Sequence, residues 1–224
     1  MNLLSLVLSG AAGLCAGALL FPAASRAAMV LACENECDEG VAYQASTKAA
    51  VTLAFAAICA ALTARSQSAG IVVVGATLAW LLTLLALVDY QTLMLPDVIT
   101  LPLIGVGIFA NWMGWRTSVA ESVAGATAAF AALWAVNAFR RIRKGEDGMG
   151  QGDFKLAAGI GAWMGVASVP SMLLIAAATG LFLAVIRWGS RAEDVLPFGP
   201  FLSGAGLFLL ISGSDPVVWL ATRI

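Results

Sequence analysis

Histidine is absent from all 224 residues. That absence removes Ser–His and Cys–His nucleophile pairs and every imidazole-ligated metal site, and with them much of hydrolytic chemistry. Charge is also scarce: 11% of residues are charged against 61% hydrophobic, too little polar surface to clothe a soluble globule of this length. The chain is therefore expected in a bilayer. Lys and Arg number 12 and Asp and Glu 13, a net charge of -1, so there is no basic stripe to neutralise phosphates and no nucleic-acid partner is expected. Cysteines number four. Cys15 and Cys59 fall inside apolar runs, where a thiol is small apolar filler. Cys33 and Cys37 fall in the polar stretch ACENECDEG. A structural zinc site usually takes four ligands, commonly two close Cys pairs, so this single pair is a weak candidate for zinc or a disulfide beside two free thiols.

What the chain has in abundance is long uncharged runs. A bilayer core takes about 20 apolar residues per helix, and such runs fall near 3–24, 48–64, 70–88, 98–115, 119–139, 154–169, 170–188 and 199–213. The expected fold is all-α, a polytopic membrane helical bundle of about eight transmembrane helices. The pair around Pro170 sets the alternative count of seven, because the 31 uncharged residues 156–186 are too many for one helix and tight for two. The first run also imitates a signal peptide, with AAS at 23–25 as a cleavage site, but no Lys or Arg precedes it, and it is read as a span. Small residues, as in AAVTLAFAAICAAL and AESVAGATAAFAAL, suit close helix packing in lipid.

Basic residues orient the bundle. The loop RRIRKGEDGMGQGDFK holds Arg140, Arg141, Arg143, Lys144 and Lys155 and is expected on the cytoplasmic side. Eight spans then put Arg26, Lys48, Arg187 and Arg191 on that side and Arg65, Arg116 and Arg223 on the other. The same layout brings Asp89, at the end of the third span, and Asp97, at the start of the fourth, to the side of Asp153. Acids at membrane depth are costly and mark function by default. Asp97 follows Pro96 and reads as a helix N-cap; Asp153 follows Gly152 and could cap as well. Asp89 has no such role, because the C-terminal end of its own helix disfavours negative charge.

Two carboxylates converging without histidine or metal suit one chemistry in particular. Sharing a proton, one acts as base on a water while the other polarises a carbonyl, which is aspartic proteolysis. Gly148, Gly150 and Gly152, bare of side chains, would let a peptide approach the acid. The rival readings are a transporter or proton pathway, in which acids relay ions from mid-span, and a non-catalytic secretion-assembly protein, in which Asp89 and Asp153 cap helices or pair with Arg140, Arg141 or Lys144.

The segments LVDYQTLMLPDVITLPLIGVGI, GMGQGDFKLAAGIGAWMG and LPFGPFLSGAG, in that order, resemble the type IV prepilin peptidases, a family of GxGD membrane aspartyl proteases. The resemblance runs from about Asp89 to Gly206. It implies a bacterial inner-membrane enzyme, active site facing the cytoplasm, that removes the leader from type IV prepilins or type II secretion pseudopilins. Its partners would be substrates with a basic leader and an apolar helix, together with membrane lipid. By the same resemblance Asp89 and Asp153 are catalytic and Asp97 is supporting; Gly150, Gly152 and Lys155 are further supporting candidates beside Asp153. The domain division is then 1–65, a reduced methyltransferase-like membrane region with a short acidic loop, and 66–224, the GxGD peptidase domain.

The N-terminal part departs from that family. Bifunctional members carry two CxxC pairs in a large first loop and a GSFLN-type motif in span one, and methylate the new amino terminus from S-adenosylmethionine. Here span one reads GALLFPAASR, with Ala18 and Phe21 at the polar positions, and a loop of about twenty residues holds CENEC alone. S-adenosylmethionine and zinc are therefore not expected as cofactors. Glu34, Glu36, Asp38 and Glu39 form an acidic cluster in that loop. It reads either as an ordinary solvated loop or as a steering surface for basic leaders, and steering would weaken as salt rises.

Overall fold

The computed structural model describes residues 45–65, 69–145, 148–187 and 197–213. Those residues form seven α-helices and one 3₁₀ turn: α1 (Ala45–Arg65), α2 (Ala69–Thr92), α3 (Asp97–Trp112), α4 (Val119–Lys144), α5 (Gln151–Met164), the turn Val166–Ser168, α6 (Val169–Arg187) and α7 (Gly199–Ser212). The all-α expectation holds. The first span at 3–24, Cys33 and Cys37, and the acids Glu34, Glu36, Asp38 and Glu39 lie outside the described residues.

The count of about eight spans is not met among these helices. Three segments are long and apolar enough to cross a membrane, Gly70–Thr92, Val119–Lys144 and Val166–Ile186. The uncharged stretch around Pro170 divides into two helices, as expected, of which the second is long enough to span. Gly165 breaks it with φ 85°, a conformation side chains disfavour, and Pro170 sits in the first turn of α6, where its missing N–H costs nothing. The first half, α5, has 14 residues, about 21 Å at 1.5 Å per residue, against a hydrocarbon core of about 30 Å.

α5 is the axis of the bundle. Eleven of its residues are buried, enclosed by α3, α4 and α7. Small residues make this possible. At the α4–α5 crossing a Cβ on Gly125 would lie 2.3 Å from the Gly161 carbonyl oxygen, and one on Gly161 would lie 2.4 Å from that of Gly125, so the two backbones touch. Toward the end of the helix Trp163, 1% exposed, donates its indole N–H to the Leu103 carbonyl at 2.8 Å. It fills the space that a Cβ on Gly107 would take.

A helix that stops inside protein must satisfy its last carbonyls there. The buried Asn111 does so, donating from Nδ2 to the carbonyls of Ala162 (2.8 Å) and Trp163 (3.2 Å). Ser122 Oγ also donates to Ala162 O. The Asn111 Oδ1 meanwhile accepts the backbone N–H groups of Arg116 and Thr117, fixing the α3–α4 connection. Glu121 is structural as well: Ser118 caps α4 by accepting the Glu121 N–H, and Thr117 Oγ1 bonds Glu121 Oε2.

Candidate active site

The end of α2 and the starts of α3, α5 and α7 come together at one end of the bundle. Leu95, in the turn between α2 and α3, backs onto Gly152, where a Cβ would be 2.7 Å from the leucine Cβ. Lys155 of α5 reaches Asp97 of α3, and α7 begins against Asp89. Asp89 and Asp153 are 5% and 9% exposed, and they are the buried acids among the described residues.

Asp89 sits at the unfavourable end of its own helix and at the favourable end of another. The Gly199 N–H donates to its Oδ2 at 2.9 Å. The N-cap of α7 is Phe198, whose side chain makes no capping hydrogen bond; Asp89 therefore supplies, from α2, the acceptor that α7 lacks. The positive end of the α7 dipole compensates the negative end of α2. The approach is so close that a Cβ on Gly199 would lie 2.5 Å from Asp89 Oδ2.

Asp153 occupies the third position of α5, whose N-cap is Gly150. It precedes the apolar stretch that begins at Phe154. Burial, and then the neighbouring Asp89 charge, push its carboxyl up to about 7, while a backbone hydrogen bond from Gly150 pulls the other way. Asp89 and Asp153 thus lie at the same end of the bundle, near enough for the charge of one to bear on the other. Asp153 begins α5 as expected, though as its third residue and not its cap.

Asp97 is not a cap either. Pro96 holds the N-cap position without a side-chain hydrogen bond, and Asp97 is the first helical residue. Its carboxylate instead pairs with Lys155 Nζ at 2.5 Å, with side chains 56% and 25% exposed respectively. The ion pair ties the start of α3 to the first turn of α5, two residues from Asp153. Neither buried acid makes an ion pair with Arg140, Arg141 or Lys144 among the described residues. Arg140 lies along Gly148, where a Cβ would be 2.2 Å from its Cδ.

The glycines divide by role. Gly148 makes room for Arg140 and Gly152 for Leu95, so these two serve internal packing. Gly150 is open: a Cβ there would find only Asp153 Oδ2, at 3.9 Å. Gly199 was missed as a site residue. Its signal in the sequence was a Gly-Pro pair starting an apolar run after Phe198, where no capping side chain is available. No candidate metal cluster of three or more His, Cys, Asp or Glu occurs among the described residues.

The sequence profile of the type IV leader peptidase family matches residues 76–185, a segment that contains both buried acids. Curated relatives include a prepilin leader peptidase/N-methyltransferase of Aeromonas hydrophila, 35% identical over 149 residues that cover 65% of this chain and 51% of the relative. The protein of the same name in Pectobacterium carotovorum subsp. carotovorum is 39% identical over 133 residues, 58% of this chain and 48% of that one. That of Pseudomonas aeruginosa is 37% identical over 141 residues, covering 62% and 49%. The chain thus spans about half the length of these relatives. No solved structure matches it.

Proposed function

From the match of residues 76–185 to the type IV leader peptidase profile, we propose that the chain is a member of that family and a membrane aspartic endopeptidase. Its substrates are type IV prepilins or type II secretion pseudopilins, cleaved after a basic leader at the cytoplasmic face of a bacterial inner membrane. The observation that carries this reading is the pairing of Asp89 and Asp153, two buried carboxylates from α2 and α5 at the same end of the bundle, each at a helix N-terminus.

The chemistry follows from one proton shared between two acids. Near neutral pH like charges at close quarters do not both ionise. Asp89, fixed by the Gly199 amide, is the ionised partner and takes a proton from water as the water oxygen attacks the scissile carbonyl carbon. Asp153, the proton holder, donates to the carbonyl oxygen. Collapse of the tetrahedral intermediate breaks the C–N bond, and a proton from the pair passes to the leaving amine. Gly150, open beside Asp153, leaves room for an extended peptide backbone.

Incubating the full chain in vesicles with a prepilin and weighing the product tests the reading. Loss of the leader mass is expected, with no added methylene when S-adenosylmethionine is supplied, because Ala18, Phe21 and the lone CENEC depart from the bifunctional pattern. An intact prepilin beside folded enzyme would refute the peptidase assignment, and a methylated product would refute the peptidase-only one.

A further inference from the structure

Buried hydroxyls in this bundle have partners, with one exception. The buried hydroxyl residues among those described are Thr100, Ser122, Ser168, Ser171 and Ser203. Thr100 and Ser168 return their protons to the carbonyl four residues back, as helical Ser and Thr commonly do. Ser122 bonds Ala162, and Ser171 also has a partner. Ser203 is 0% exposed and its Oγ has none. An orphaned buried hydroxyl is costly and asks for an explanation, a functional role or a bound water among them.

Its position supplies one. Ser203 lies four residues after Gly199 and three before Gly206, so the three share a face of α7. Gly199 meets the Asp89 carboxylate, and a Cβ on Gly206 would be 3.0 Å from Leu82 of α2 and 3.2 Å from Ile160 of α5. That face therefore looks into the seam between α2 and α5. Leu82 is seven residues before Asp89 and Ile160 seven after Asp153, so Ser203 lies between those apolar contacts and the two acids. It is one helical turn, about 6 Å along the axis, behind the point where Asp89 is held.

We propose that Ser203 is a positioning residue of the Asp89–Asp153 pair, its hydroxyl linked to one of the two carboxylates through a single water. This rests on the peptidase reading for its kinetic consequence, but not for its titration. The titratable groups on elements packed against α7 are Tyr90 beside Asp89 on α2, Asp153 and Lys155 on α5, Arg187 on α6, and Lys48, Cys59 and Arg65 on α1; α7 itself has none. Tyr90 is exposed, Lys155 is engaged by Asp97, and Arg65 bonds Ile211 at the far end of α7. Asp89, held at Gly199 one turn before Ser203, is the group the structure places nearest along α7, with Asp153 beginning the helix that packs on the same face.

Ser203→Ala removes one oxygen without adding volume, so the variant folds. A hydrogen bond to a carboxylate favours its ionised form, and its loss moves the titration midpoint upward. The carboxyl stretch that disappears in Asp153→Asn, followed by infrared difference spectroscopy of the full chain in vesicles, should titrate about one pH unit higher in Ser203→Ala. The kcat on prepilin should fall about tenfold with KM unchanged, and Ser203→Thr, which keeps the hydroxyl, should restore most of it. A Ser203→Ala protein with wild-type kcat, an unmoved midpoint and a higher Tm overturns the proposal, because the hydroxyl is then a mere orphan. A wild-type protein that cleaves no prepilin but shows the midpoint shift refutes the peptidase reading and leaves the Ser203 link standing.

Discussion

Gly199→Ala is the sharpest perturbation the site offers, because it touches neither acid in sequence. The added Cβ would lie 2.5 Å from Asp89 Oδ2 and 2.8 Å from its Cγ, whereas ordinary contact begins at 3.4 Å. The carboxylate must therefore withdraw by about 0.9 Å, and the 2.9 Å bond from the Gly199 amide is lost or badly bent. A misplacement of about 1 Å at reacting groups costs about 100-fold, and a lost hydrogen bond to a charged group about 1.5–3 kcal/mol, itself about 10- to 100-fold. Alanine is otherwise welcome at the start of a helix, and Gly199 has no positive φ, so the backbone tolerates the change. The expected result is a protein that inserts and folds normally but cleaves prepilin with kcat/KM down about 100-fold. Gly204→Ala, in the same helix with nothing within 4 Å of its added Cβ, is the control and should match wild type. Cleavage by Gly199→Ala within twofold of wild type would show that the Asp89–α7 contact does not position the reacting carboxylate.

Three further outcomes are expected. Asp89→Asn and Asp153→Asn should each lower prepilin cleavage by at least about 10²- to 10⁴-fold, while Asp97→Asn, which loses a half-exposed ion pair worth about 1 kcal/mol or less, should stay within severalfold; a dead Asp97→Asn in the same mass assay would put the wrong carboxylates in the pair. Activity should decline as pH rises through about 7, where Asp153 gives up the shared proton. A folded-state carboxyl raised from 3.8 to about 7 holds its proton where the unfolded chain has lost it, so stability falls between those values as pH rises. Asp153→Asn removes that slope and should unfold at higher temperature than wild type at pH 8, and an equal or lower Tm would count against the burial of a charge there. Gly161→Ala should cost about 1–3 kcal/mol or more, since its Cβ meets backbone and not a movable side chain; wild-type thermal stability would mean that α4 and α5 are not in backbone contact.

The sequence by itself determined what composition and local pattern can carry. Sparse charge set the helical, membrane-suited class. The break near Pro170 was readable because glycine and proline act on their own backbone. Asp89 and Asp153 were identifiable as acids at the ends of apolar runs, and the incompatibility of Asp89 with the end of its own helix is a local electrostatic argument. What resolves it is not local: Gly199 stands 110 residues away, and only the packing of α7 against α2 puts its amide on that carboxylate. The same holds for Asp97, whose sequence context reads as a cap but whose partner is Lys155 across the α3–α5 contact. It holds for Asn111, an unremarked polar residue until α5 is seen to end among its neighbours. Apolar runs were counted as spans because run length measures hydrophobicity and not what covers it. The tertiary structure decided that α5, apolar throughout most of its length, is buried by protein, because glycine-to-glycine crossings let the neighbouring helices close around it.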